Sequence, residues 1–258
     1  MKRALLFSVL LVFSSSSFAA TLNIASDFNG KNGCFILYDV NTQKIIQEYN
    51  PTRCAERIAP DSTFKVPLSL MAFDDNLITQ KTVFKWDGKD KGLPQWNHDQ
   101  TPQTWLKNSV VWVSQSITPE LGLKKIKYYL HRFNYGNQNF SGDPYKHNGL
   151  TQAWLESSLK ISADEQLVFL KDFVENKLPV SKEALSNTKQ NMYLETSPTG
   201  YKLYGKTGSG KNGWFIGYGE KANQKYIFVT NIAITNESNG GSDAKALTKT
   251  ILTQMKLF

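Results

Sequence analysis

The chain has 258 residues, 40% hydrophobic and 20% charged, with a formal net charge of +8 and two cysteines. That composition excludes a disordered or fibrous chain and a disulfide-dense miniprotein, and the length suffices to bury a full core. The basic residues are scattered, without the basic–aromatic stripe of a nucleic-acid binder, so the mild positive balance suits a small anionic partner instead.

Lys2 and Arg3 precede an apolar run from Ala4 to Phe13, and small residues then lead to Ala19 and Ala20. This is the layout of a secretory signal peptide cleaved at one of those alanines. The run is well short of the ~20 apolar residues that span a bilayer, and no later segment is long and apolar enough to do so. The expectation is a leader over 1–19, one domain over 20–258, export to the periplasm and no membrane span in the mature protein. Without Lys2 and Arg3 the formal charge falls from +8 to +6.

Cys34 lies in GCFILYD, an apolar strand over 33–39; Asn41 and Thr42 supply a turn, and KIIQEY returns over 44–49. Export permits a disulfide between Cys34 and Cys54 that would close the open end of this hairpin. Two buried thiols are the other reading, because sequence does not fix their separation. His98, His131 and His147 show no metal-ligand spacing, so no metal site is expected.

In APDSTFKVPLSL, Ser62 precedes Lys65 by three residues, which places both on one helical face. Pro67 is tolerable only in a first turn, so the helix should begin near Thr63 or Phe64 with Ser62 at its N-terminus. There, free N–H groups and the dipole favour a developing anion, which suits a nucleophile with an adjacent base. The same spacing recurs at Ser157, Ser186 and Ser242, so it identifies nothing alone.

Helical patterns dominate from 62 to 190. QTWLKNSVVWVSQSI places Ser109, Val110 and Val111 on a helix, and LKKIKYYLHRF exposes Lys124, Lys125 and Lys127 on one face. FNYGN puts Tyr135-Gly136-Asn137 in a loop, and TQAWLESSLKI carries Trp154 and Glu156, the latter read as a helix-surface carboxylate. DEQLVFLKDFVEN is a further helix, and Trp86, Trp96, Trp105, Trp112 and Trp214 read as core aromatics. Strands then follow in YKLYGK, NGWFIGYGE and KYIFVTNIAI, with Lys206-Thr207-Gly208 at the end of the first and a closing helix over 242–256. The simplest assembly is an α/β fold of the α+β type. The N- and C-terminal strands make one antiparallel sheet, helices pack on it, and a helical lobe is inserted between its halves. A cleft between sheet and lobe is a favoured place for a small ligand.

Ser-x-x-Lys followed by Lys-Thr-Gly is the signature of penicillin-recognising serine enzymes. The ordered set STFK, Ser109-Val110-Val111, Tyr135-Gly136-Asn137 and Lys206-Thr207-Gly208 closely resembles the class D (oxacillinase-type) β-lactamases over nearly the whole mature chain. The resemblance implies that Ser62 is acylated by a β-lactam and that Lys65 carries CO2 as a carbamate (N6-carboxylysine) serving as general base. No other cofactor is implied. Ser109 would relay a proton to the lactam nitrogen, and the Trp154 indole N–H would hold the carbamate. Backbone N–H groups of Ser62 and Ser209 would form the oxyanion hole. Val111, Lys206, Thr207 and Gly208 would line the cleft and meet the substrate, a penicillin of oxacillin type. The chemistry agrees: a lysine at ~10.4 cannot act as base, whereas burial by Val66, Val111, Trp154 and Leu155 would favour the neutral amine. The family's arginine in the last helix is missing from GGSDAKALTKTIL, where Lys245 falls closest to that position. Penicillin-sensing modules share STFK but keep the acyl group, and penicillin-binding transpeptidases are longer and membrane-anchored; both remain as alternatives.

Overall fold

GCFILYD is apolar at nearly every position, the pattern of a strand covered on both faces. In the computed structural model, which describes residues 22–235 and 239–258, it forms β1 (Gly33–Asp39), buried along all but its last residue. The leader expected over 1–19 lies outside the described residues. β2 (Lys44–Tyr49) returns antiparallel after a turn in which Asp39 Oδ1 accepts the amide hydrogens of Asn41 and Thr42. The rest of the sheet comes from β3 (Tyr193–Thr196), β4 (Lys202–Ser209), β5 (Asn212–Lys221) and β6 (Gln224–Ala233). The strand order is β2-β1-β6-β5-β4-β3, with every neighbouring pair antiparallel, so β1 from the N-terminal half docks between β2 and β6. β3, four residues on the sheet edge, carries too little pattern to read from sequence. β4 runs on through Lys206-Thr207-Gly208 to Ser209, so the motif lies inside a strand.

Between β2 and β3 come α1 (Pro51–Cys54), α2 (Lys65–Asp74), α3 (Pro102–Lys107), α4 (Val111–Arg132), α5 (Gly149–Gln152), α6 (Ala163–Val174) and α7 (Lys182–Met192); α8 (Gly241–Gln254) follows β6. Alternate residues of β1 serve two cores. Ile36 and Tyr38 join the one shared with α2, α4 and α6, whereas Phe35 and Leu37 join the one shared with α8 through Ala244, Ile251 and Leu252. No helix among the described residues is long and apolar enough to cross a membrane.

The stretch 103–117 is two helices, which corrects the placing of Ser109 on a helix. α3 ends in a Schellman motif: Val110 N–H donates to Trp105 O at 3.1 Å and Ser109 N–H to Leu106 O at 3.3 Å. Ser109 occupies the left-handed position at φ 54°, where glycine is usual, and Val111 opens the next helix. α4 itself breaks at Gly122 (φ 74°, ψ 154°), and beyond it Lys124, Lys125 and Lys127 are exposed. Trp105 and Trp214 are fully buried, but Trp86, Trp96 and Trp112 are only half-buried: the first two lie in the largely irregular segment between α2 and α3, and Trp112 in the first turn of α4 beside it.

Cys34 and Cys54 are bonded, with Cα atoms 5.2 Å apart, and the bridge fastens α1 to β1 across 20 residues of sequence. In the chain-entropy account, closing a loop of that size stabilises by about 3 kcal/mol. The Cys34→Ala/Cys54→Ala variant should lose stability of that order in urea unfolding without loss of the fold; an unchanged midpoint would deny the bridge a structural role.

Candidate active site

DSTF folds as a 3-10 turn (Asp61–Phe64) that runs directly into α2, so the α-helix begins at Lys65, slightly later than the sequence suggests. Pro67 falls in the first turn of α2, where a missing N–H costs least. Ser62 and Lys65 share a face, and Lys65 Nζ donates to Ser62 Oγ at 3.1 Å. Lys65 is completely buried, whereas Ser62 keeps slight exposure to the groove above it. Burial and the neighbouring Lys206 push the Lys65 amine well below the ordinary lysine range, against the pull of Asp61.

The wall beside this pair is aromatic. Trp154 stacks on Phe64, the residue before Lys65, with ring centroids 5.5 Å apart, and on Phe140 at 5.9 Å. Its indole is fully buried, yet Nε1 has no acceptor. An orphaned buried donor is expensive and requires an explanation. Tyr135-Gly136-Asn137 braces the segment that follows Trp154. The Asn137 side chain donates to Ser158 O at 2.9 Å and accepts the Lys160 N–H at 3.0 Å. Gln166 Nε2 joins the buried Tyr135 hydroxyl to Thr63 Oγ1, at 3.3 and 3.1 Å, and so couples this loop to the turn that carries Ser62.

β4 closes the site from the other side. A Cβ on Gly208 would meet Pro60 O at 3.0 Å and Thr63 Cγ2 at 3.2 Å, so this close approach of strand to turn needs a residue without a side chain. Lys206 Nζ donates to Ser109 Oγ and, at 2.9 Å, to Thr207 O. Burial lowers the Lys206 amine to about 7. Ser62, Trp96, Ser109, Val111, Leu155 and Thr207 line a groove of about 340 Å³, with Gly208 and Ser209 along its rim. A second cavity of about 400 Å³ shares Thr207 as a wall and is lined by Lys206 together with Lys107, Lys245 and Lys249. Lys245 therefore shares a cavity with Lys206 and Thr207 next to the groove. It already faces Glu195 at 3.8 Å, which Lys249 holds at 3.1 Å.

Residues 33–253 match the penicillin binding protein transpeptidase domain family. Beta-lactamase OXA-1 of Escherichia coli is 50% identical over 246 residues, which covers 92% of this chain and 89% of that one. The solved class D beta-lactamase BAT-2 superposes with a TM-score of 0.84 at 36% identity, covering 92% of this chain and 97% of that one. The chain belongs to the class D β-lactamases. The methicillin resistance mecR1 protein of Staphylococcus aureus is 35% identical over 242 residues, 91% of this chain but only 40% of that protein.

For a class D β-lactamase, three groups around the groove were not legible in the sequence. Trp96 reads as core but forms part of the wall, its Nε1 donating to Asn108 O at 2.8 Å. Asp61, which opens the 3-10 turn, is almost wholly buried. Glu156 is not on a helix surface: it sits half-buried at φ 51° and accepts the Lys211 N–H at 2.6 Å. The glycine-rich turn that reaches it is distant in sequence, so nothing local marks its burial.

The buried amines make stability depend on pH. The native state releases the Lys206 proton near pH 7, while the unfolded chain keeps it to about 10.4, so this group makes stability rise with pH between those values. Lys206→Met should flatten the rise between pH 7.5 and 9.5, by at most about 1.4 kcal/mol per pH unit for one proton. Urea unfolding of both proteins at matched pH checks this; parallel curves would mean that Lys206 is an ordinary ammonium.

Proposed function

We propose that this protein hydrolyses β-lactam antibiotics through an acyl-enzyme on Ser62, with Lys65 carboxylated by CO2, and so confers resistance to them. The observation that carries the reading is a fully buried amine 3.1 Å from a serine hydroxyl, in a pocket whose indole N–H lacks an acceptor. The residues fit an N6-carboxylysine. The amine is held neutral and can capture CO2, and Trp154 Nε1 is a donor waiting for an anion. When present, the carbamate supplies a carboxylate-type general base at the nucleophile.

Ser62 Oγ attacks the lactam carbonyl as its proton leaves toward Lys65. The backbone N–H groups of Ser62 and Ser209 receive the developing oxyanion, each worth a few kcal/mol in comparable acyl transfers. Ser109, held by Lys206, delivers a proton to the departing nitrogen. Its left-handed backbone turns the hydroxyl out of α3 and into the groove. Lys206 and Thr207 meet the substrate carboxylate, with Val111 and Gly208 shaping the groove. Lys245, partly neutralised by Glu195, adds a weaker positive potential where the family's arginine would give a bidentate contact. Deacylation repeats the sequence with water as nucleophile. The first 19 residues act as an export leader, and the mature protein works in the periplasm.

Purified protein should turn over many equivalents of a chromogenic cephalosporin, and Ser62→Ala should show neither turnover nor an acyl adduct by intact mass. One stoichiometric acylation without turnover would move the protein to the penicillin-sensing reading. Carbon-13 bicarbonate should give a carbamate resonance in the wild type that is absent in Lys65→Ala. Trp154→Phe keeps the stack on Phe64 but removes the N–H, so it should lose that resonance near pH 7 and accumulate acyl-enzyme. A wild type without the resonance, and indifferent to bicarbonate, would make Lys65 a plain amine.

A further inference from the structure

Asp61 and Glu156 are two carboxylates that the acyl-transfer scheme leaves without a role. Both sit in the left-handed region, at φ 46° and 51°, a conformation non-glycine residues keep only when their surroundings enforce it. Asp61 immediately precedes the nucleophile, is 2% exposed, and its buried Oδ2 finds no N–H or O–H donor. Glu156 comes from the segment after Trp154, and its Oε1 accepts the Lys211 N–H at 2.6 Å from the turn between β4 and β5. The two carboxyls converge under Gly210. A Cβ there would lie 2.2 Å from Glu156 Oε1 and 2.5 Å from Asp61 Oδ2, so any side chain at this position would have to push the two carboxyls aside. One buried carboxylate facing another is satisfied by a proton held between them.

We infer that Asp61 and Glu156 share one proton, and that the resulting acid–carboxylate hydrogen bond is a positioning clamp joining the turn of Ser62 to the turn beyond Ser209. The inference rests on the acyl-transfer reading above, since it is the spacing of those two oxyanion donors that the clamp sets. Three segments meet at it. Asp61 N–H also donates to Trp154 O at 3.1 Å, so residues 60–62, 154–156 and 209–211 are tied at one point. Burial first, and the Glu156 charge second, raise the Asp61 carboxyl to about 8. Lys160, from the loop beyond Trp154, pulls the other way without reversing it. Lys65 faces the pair from the nucleophile's side, its amine held largely neutral by burial. Lys211 offers its backbone N–H while remaining exposed.

The sign of the pH effect follows. Between about pH 4 and 8 the folded protein keeps a proton that unfolded carboxyls have lost, so the pair's contribution to stability is full in acid and fades as pH rises through about 8. Asp61→Asn places a permanent donor opposite Glu156. Urea unfolding from pH 5 to 9 should show this variant gaining on the wild type as pH rises. The Ser62 acylation rate, read by intact mass with a penicillin, should fall about tenfold in the wild type from pH 7 to 9.5. That is less than the 10²–10³ lost when one oxyanion donor is deleted. The rate should stay level in Asp61→Asn. Glu156→Gln, with the donor on the other partner, should reproduce that profile, whereas Glu156→Ala should acylate slowly at every pH. An identical alkaline fall in wild type and Asp61→Asn would overturn the clamp, and a stability difference independent of pH would overturn the shared proton. Absence of any acyl adduct would instead remove the Ser62 reading and the oxyanion role together, leaving the shared proton to the urea measurement.

Discussion

Lys65 is buried without remainder, and its Nζ reaches Ser62 Oγ at 3.1 Å. A lone ammonium in such a place would cost several kcal/mol, a large part of the stability a domain of this size possesses. The folded state therefore favours the neutral amine, and on the mechanism proposed above that preference is what would let this lysine capture CO2 and act as a base. The surrounding architecture serves to keep this one group dry. Phe64, Trp154 and Phe140 stack into its wall, the Tyr135–Gln166–Thr63 chain holds the wall to the nucleophile's turn, and β4 seals the opposite side.

Dryness conflicts with polarity at such a site, since the reaction needs backbone N–H groups, hydroxyls and a second lysine close together. The chain resolves the conflict with backbone shapes that are unfavourable by themselves. Ser109, Asp61 and Glu156 all take left-handed conformations, and Gly208 lets a strand lie against the 3-10 turn. Such strain persists only where packing over-determines it, and here the sheet, the two cores and the α1–β1 disulfide provide the rigid frame.

The same frame is shared by the β-lactamases and by a relative named for methicillin resistance. Acylation needs the nucleophile, the oxyanion donors and a proton acceptor. Release of the acyl group needs the acceptor to act a second time, on water. On the proposed mechanism the difference would rest on Lys65 and on the donor that Trp154 presents, not on the topology of the sheet.

The sequence by itself determined the strands 33–39 and 44–49, the late strands, the closing helix and the pairing of Ser62 with Lys65. These are set by local periodicity and by a three-residue spacing that any helical turn converts into proximity. It also marked Ser109 and Lys206 as members of an ordered set of motifs, and the resemblance those motifs carry added Trp154, though not how they meet. Ser109 was misread because a serine at a helix C-terminus carries no local sign that it will adopt the glycine-like position of a Schellman motif. The ion pairing of Lys245 was out of reach in the same way, because spacing along α8 says nothing of Glu195, fifty residues earlier and on an edge strand too short to show a pattern. Glu156 reads as a helix-surface carboxylate and nothing local marks Asp61 as buried, since burial is a property of what packs over a residue, and that is supplied here by a glycine turn distant in sequence. Only the tertiary structure could decide these, because each depends on contacts between segments that share no periodicity and no spacing.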